Sequence, residues 1–425
     1  MLELKKREDQ FLNEAVYFGT HESGVKVYIM PKAGYNKKYA IFMTKYGSVD
    51  TEFETEGEKI KIPDGTAHFL EHKMFDMPDG SDAFLNFSKY GANANAFTSF
   101  SVTAYHFSST DNFKENLKNL VEFVETPCFT QKSVDKEQGI IGQEIKMYLD
   151  DPNWRVFFNC LDSMYHNNTV KLDIAGSVES ISTIDEKVLN DIYSYFYHPE
   201  NMVLFISGDV EPSEMADYLD TIFKKCDKGS EIKRNYPEEP EGVLRKFVSQ
   251  RLSVSVPLFA IGFKDNEKCE SGKEFLAREI KTEILLNMLF SKVSPIYKKL
   301  YESSLINESF NSDFSYSDTY SFVLLEGESN EPKKVYDSIM EEIKGFKLTE
   351  ELYECAKNML WGKFVRMFNS TDKVGYNFSI GYLNNIDYFD YKDIFNEVTF
   401  FDVEERFKKL FTEEMCVLSI IEGDN

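Results

Sequence analysis

The stretch from Cys226 to Gly242, C-D-K-G-S-E-I-K-R-N-Y-P-E-E-P-E-G, most constrains the architecture, because charge, proline and glycine replace any apolar period there. A segment with no apolar face cannot join a core, so it reads as a solvated linker. It divides the 425 residues into an expected N-terminal domain over 1–227, a linker over 228–244 and a C-terminal domain over 245–425. Either half is long enough to bury its own core. Each half follows one order: short alternating strands, a long helical stretch, then further strands and helices. That order predicts an α+β fold of mainly antiparallel sheet packed with helices, in structurally repeated halves. No literal sequence repeat accompanies it.

In the first half, Val25–Ile29 and Tyr39–Met43 read as short strands, and Asp64 to Asp76 as a helix that Asp64 can cap. Ala96 to Ser108 sets Phe97, Phe100, Tyr105 and Phe107 among small and polar residues, as a half-exposed strand does. In the second half, Phe247 to Ile261 is strand-like. Lys273 to Tyr301 is helical, with Phe275, Leu276, Ile280, Ile284, Leu285, Met288 and Leu289 on one apolar face.

The chemistry is concentrated in Gly65-Thr66-Ala67-His68-Phe69-Leu70-Glu71-His72, a H-x-x-E-H pattern inside the predicted helix. At about 100° per residue, His68 and His72 lie about 40° apart around the axis, and Glu71 about 60° to the other side of His68. All three project from one face. Two imidazoles one turn apart can share a zinc ion, and the carboxylate beside them stands where the general base for a water nucleophile has to stand. The pattern is the inverted form of the H-E-x-x-H zinc helix.

A catalytic zinc takes a third protein ligand and keeps one position open. Candidates lie in Ser133 to Asp150, an acidic helical stretch with Glu137 and Glu144 seven positions apart. Seven residues return to within about 20° of one face but rise about 10 Å, so the two do not easily hold one ion together. One reads as the ligand and the other as its support, and spacing leaves that choice open.

Composition narrows the partners. The chain carries 48 Lys and Arg against 72 Asp and Glu, a net charge of −24, which repels nucleic-acid phosphates and anionic lipid and favours cationic or unfolded polypeptide. No apolar run approaches the ~18 residues that span a bilayer, and the leading M-L-E-L-K-K-R-E-D lacks the apolar core of a signal peptide. The six cysteines, Cys128, Cys160, Cys226, Cys269, Cys355 and Cys416, form no C-x-x-C pair and read as reduced thiols. The expectation is a soluble cytoplasmic protein with no nucleic-acid and no membrane partner.

With these residues in hand, the chain resembles the pitrilysin family of zinc metallopeptidases, relatives of insulysin and the mitochondrial processing peptidase. Besides His68-Phe69-Leu70-Glu71-His72, the family's downstream helix matches Glu137 through Met147. The resemblance implies Zn²⁺, one per chain, on His68, His72 and Glu144, with Glu137 supporting the metal site without binding it and Glu71 as catalytic base. It extends to Asn95-Ala96-Phe97-Thr98, which in this family is an edge strand that pairs with substrate backbone, and to Tyr197-His198-Pro199-Glu200-Asn201-Met202 with Gly208-Asp209. Asn95, Ala96 and Phe97 are thereby expected to bind substrate. Pairing with free backbone groups suits a peptidase of broad specificity. The match is strong over about the first 225 residues, and implies one half of a clam-shaped assembly per chain.

The pattern departs in the second half. Catalytically complete relatives carry an Arg and a Tyr there that hold the substrate and its developing oxyanion. The corresponding Tyr316 to Tyr336 has no arginine, and none occurs between Arg278 and Arg366. A donor at a tetrahedral intermediate is worth about 3–4 kcal/mol, so a partner has to provide it. The expected partners are an unfolded peptide substrate and a heterodimer-forming paralogue that lacks the zinc motif. A homodimer in which Arg366, Tyr376 or Tyr382 takes that role comes second. The rival reading is a non-catalytic, zinc-retaining subunit that binds peptide or supports assembly. A nucleophile motif such as G-x-S-x-G is absent.

Overall fold

The computed structural model describes every residue except Met1, Glu270, Asp424 and Asn425. Runs of β-branched and aromatic residues set the central strands, such as K-Y-A-I-F-M-T and M-V-L-F-I-S-G. The first half contributes β1 (Lys5–Asp9), β2 (Glu14–Thr20), β3 (Lys26–Pro31) and β4 (Lys38–Thr44). After them, β5 (Glu52–Thr55) and β6 (Glu58–Lys61) are followed by β7 (Asn93–Thr98), β8 (Thr103–Ser109) and β9 (Met202–Gly208). One sheet runs β1-β2-β3-β9-β4-β8-β7, while β5 and β6 join β10 (Lys233–Arg234) in a small separate sheet. The innermost strand, Met202-Val203-Leu204-Phe205-Ile206-Ser207-Gly208, is buried at every residue, as a strand covered on both faces has to be.

The second half builds β11 (Phe247–Arg251), β12 (Leu258–Lys264), β13 (Asn311–Tyr316), β14 (Ser321–Glu328) and β15 (Cys416–Glu422), in the order β11-β15-β12-β14-β13. This repeats the series β3-β9-β4-β8-β7 strand for strand. In each sheet one pair is parallel, β3 with β9 and β11 with β15, and the rest of the series is antiparallel. The fold is α+β with repeated halves, although the sequence shows no literal repeat.

Helices fall at matching places. Between β4 and β7 stand α1 (Thr66–Met74) and α2 (Ala83–Lys89). After β8 follow α3 (Phe113–Val124), α4 (Gln131–Asp150), α5 (Pro152–Met164), α6 (Val178–Ile181) and α7 (Glu186–Phe196), with α8 (Pro212–Ile222) after β9. In the second half, α9 (Gly272–Phe290) and α10 (Pro295–Glu302) precede β13, and α11 (Pro332–Gly345), α12 (Glu350–Met367) and α13 (Thr371–Leu383) follow β14.

One helix is exchanged in each direction: α5 packs on β12 and β15, and α13 packs on β4 and β9. Two compact units result. The first is Met1–Ile145, Asp173–Asn235 and Val365–Phe389, and the second Lys146–Leu172, Tyr236–Phe364 and Asp390–Asn425. The segment 228–244 is divided between them, with Lys233 and Arg234 paired to β5. Gly375 is what brings α13 onto its sheet, since a Cβ there would stand 2.7 Å from the Tyr39 ring.

Three local expectations are corrected. Ala96 to Ser108 is not one strand, because Ser99 turns the chain: its amide bonds the Val102 carbonyl at 2.8 Å and separates β7 from β8. Phe247 to Ile261 likewise holds two strands, β11 and β12. Lys273 to Tyr301 breaks before Pro295, where the Ser294 hydroxyl accepts from the Tyr297 amide and starts α10 as a new helix.

Candidate active site

The first turn of α1 is set by a close backbone crossing. Its N-cap is Gly65, not Asp64, with φ +87° and no side-chain cap. A Cβ at Gly65 would lie 2.4 Å from the Ala175 carbonyl oxygen, and one at Gly176 would lie 2.5 Å from that of Asp64, so both positions require glycine. The inner side of the helix is then anchored by Ala67, Phe69, Leu70 and Met74, all buried. Each large apolar side chain removed from water stabilises the anchor by about 1.5–3 kcal/mol.

Anchored this way, α1 directs His68 and His72 at Glu144 of α4. Their Nε2 atoms stand 3.9 and 3.5 Å from the two Glu144 carboxylate oxygens. One nitrogen from each imidazole and one Glu144 oxygen lie within 4.8 Å of one another, a set no other His, Cys, Asp or Glu group matches among the described residues. Glu137, two turns earlier on α4, goes elsewhere: its Oε1 accepts from His72 Nδ1 at 3.1 Å. A proton held on Nδ1 by that bond makes Nε2, the nitrogen facing Glu144, the one available to a metal.

Lys73 completes the support. Its side chain is 1% exposed, pairs with Asp76, and places Nζ 3.8 Å from Glu137 Oε2. Burial alone would raise the Glu137 carboxyl, but His72 and Lys73 outweigh it and hold the group below its ordinary value. Burial and the adjacent His72 push His68 down to about 4, so its ring is neutral near pH 7, as a metal ligand has to be. His72 shifts the other way: burial opposes its charge, yet Glu137 and Glu144 raise it.

Glu71 points at the strands. It is 8% exposed, and its Oε2 accepts from the Thr98 hydroxyl at 2.6 Å. Burial raises its carboxyl above the ordinary range, and the Thr98 bond works against that rise. Behind it, the Tyr105 and Tyr197 hydroxyls meet at 2.7 Å in a buried pair.

Asn95, Ala96 and Phe97 all lie on β7, which pairs with β8 and is the terminal strand of its sheet. Asn95 is exposed, and the Phe97 ring meets that of Tyr376 of α13 at 5.5 Å in a tilted contact. Arg366 is exposed at the end of α12, and Tyr382 lies at 3.6 Å on Tyr28 of β3. The contacts of Thr98 and Lys73 are not legible in the sequence. Thr98 stood in the quoted edge-strand motif, but its reach to Glu71 depends on how β7 packs on α1. Lys73, next to His72, could have been flagged as a cation on an otherwise acidic site.

Two nitrogens and one carboxylate oxygen on neighbouring helices, with a buried carboxylate beside them, form a group that could hold a metal ion. Residues 58–178 match the family described as insulinase, peptidase family M16, and residues 183–360 match the peptidase M16 inactive domain. The chain is 41% identical over 94% of its length to the uncharacterized zinc protease YmfH of Bacillus subtilis, covering 95% of that protein. It superimposes on an M16-like peptidase from Alicyclobacillus acidocaldarius with a TM-score of 0.92 at 31% identity, over 100% of this chain and 99% of that one. The periplasmic protease PqqL of Escherichia coli shares the fold, with a TM-score of 0.74 at 17% identity, and this chain spans 98% of itself but 48% of PqqL. The chain belongs to peptidase family M16, the pitrilysin family. Among the described residues no helix is long and apolar enough to cross a membrane.

Proposed function

We propose that the protein is a zinc-dependent endopeptidase that cleaves unfolded peptides inside a chamber completed by a partner subunit. The observation that carries this reading is the convergence of His68, His72 and Glu144 beside a buried Glu71, next to the open edge of β7. His68, His72 and Glu144 would hold the ion. Zinc, when bound there, supplies Lewis-acid polarisation of water and of the scissile carbonyl. Glu71 takes the proton from the attacking water and returns it to the leaving amine. An extended peptide beside Asn95, Ala96 and Phe97 gains backbone hydrogen bonds whatever its sequence.

The missing arginine between Arg278 and Arg366 favours a partner that provides the oxyanion donors, a heterodimer with a paralogue lacking the zinc motif, with a homodimer second. The same absence is the observation that favours a peptide-binding subunit without activity of its own. Free thiols at all six cysteines support a reducing compartment. The test is hydrolysis of a mixed unfolded-peptide pool by the zinc-loaded protein, alone and with a co-purified partner. Cleavage that a chelator stops and zinc restores supports the reading. A zinc-loaded complex that binds peptide without cutting it leaves the scaffold.

A further inference from the structure

We infer that Thr98 is a positioning residue for Glu71, so that the strand offered to the peptide also aims the base that activates water. The inference rests on the peptidase reading and adds a role for a residue to which none has been given. Thr98 Oγ1 donates to Glu71 Oε2 at 2.6 Å, a short charge-assisted bond, while Glu71 itself is 8% exposed. A glutamate has three rotatable torsions, and its carboxylate holds one direction only if something bonds it there. With Oε2 taken by Thr98, Oε1 is the oxygen left for water.

Thr98 is itself held. It is the last residue of β7, opposite Thr103 at the start of β8. The Thr103 hydroxyl stands 3.5 Å from that of Thr98 and donates to the Tyr46 carbonyl at 3.0 Å. Alternation along β7 puts Ala96 and Thr98 on the face toward α1 and Asn95 and Phe97 on the other. A peptide added at the β7 edge is therefore registered against the same strand, one residue from the group that fixes Glu71.

The second unit sharpens the test. There Tyr316, the last residue of β13, stands opposite Ser321 at the start of β14, and its hydroxyl donates to Glu279 of α9 at 2.6 Å. The repeat thus keeps a strand-end hydroxyl on a helix glutamate in a half that has no H-x-x-E-H pattern. In that half the bond can only tether strand to helix. A positioning role for Thr98 has to show in measurements that a tether leaves unmoved.

The experiment compares Thr98→Val, which keeps shape but loses the hydroxyl, with Thr98→Ser, which keeps the hydroxyl, in the zinc-loaded protein with its partner if one is required. Thr98→Val is expected to lower kcat about 10- to 100-fold, the size of one lost bond to a charged group, with KM and zinc content within about threefold of wild type. Thr98→Ser is expected to keep at least about a third of kcat. Crystal structures of the two variants supply the second readout: the Glu71 carboxylate leaves its single orientation in Thr98→Val and keeps it in Thr98→Ser. An unchanged Glu71 orientation in Thr98→Val overturns the proposal whether or not the protein turns over peptide, and so does an unchanged kcat. A wild type that cuts no peptide, with Glu71 reoriented in Thr98→Val, refutes the peptidase reading while the positioning contact stands.

Discussion

Glu137 and Glu144 share a helix and a face, yet the contacts assign them different work, and zinc affinity separates them. Glu144 faces both Nε2 atoms, whereas Glu137 accepts from His72 Nδ1 at 3.1 Å. Glu137→Gln keeps the shape and loses the charge that orients His72. Loss of such an outer partner costs roughly 10- to 100-fold in metal affinity, about 1.4–2.7 kcal/mol. Glu144→Gln removes an anionic oxygen from the donor set itself and leaves two imidazoles, so its loss exceeds that of Glu137→Gln. The assay is zinc titration against a competing chromogenic chelator near neutral pH, with circular dichroism to confirm folding. Wild type, Glu137→Gln and Glu144→Gln should rank in that order of decreasing affinity. Equal losses, or a larger loss from Glu137→Gln, would refute the assignment.

Other outcomes follow from contacts elsewhere. Gly65→Ala forces a left-handed φ on a residue whose Cβ meets a carbonyl at 2.4 Å, and should cost at least about 1–3 kcal/mol, read as a lowered Tm by calorimetry. In the second unit Arg406 donates to both oxygens of Asp265, at 2.8 and 2.6 Å, and to Glu267 at 3.0 Å, with the Arg406 and Asp265 side chains 1% and 4% exposed. Burial alone would raise the Asp265 carboxyl, and Arg406 holds it below its ordinary value. A lowered carboxyl stabilises the fold above the unfolded-state value near 4 and loses that contribution as pH falls through the folded value. Asp265→Asn should therefore cost about 3–5 kcal/mol near neutrality, and the gap to wild type should narrow in melts below about pH 4.

Much of the site was legible because it is local. The spacing of His68, Glu71 and His72 needs only helical geometry, and the structure places all three in α1. Spacing alone left the choice between Glu137 and Glu144 open, because seven residues return to nearly the same face; the family resemblance pointed to Glu144, and the docking of α4 against α1 sets the two apart in contact. Thr98 lies 27 positions from Glu71, and its bond exists only after β7 and α1 pack. The β7–β8 turn is not marked in the sequence, because Ser99-Phe100-Ser101 carries no Gly, Pro or Asn. Ser294-Pro295 carries the helix-start signal of a cap followed by proline, yet the apolar face of Lys273 to Tyr301 continues across it, so one helix is expected where the structure has two. The exchange of α5 and α13 was hidden because an amphipathic helix declares that it buries a face, not which sheet it buries it on.

Whether Glu71 is the base of a zinc peptidase is decided by comparing two proteins. Wild type and Glu71→Gln, matched for zinc content and carrying the same partner, are given a mixed unfolded-peptide pool, and new amino termini are counted. Cleavage by wild type that falls by at least about 100-fold in Glu71→Gln is the predicted result. Equal cleavage by the two proteins would contradict the account.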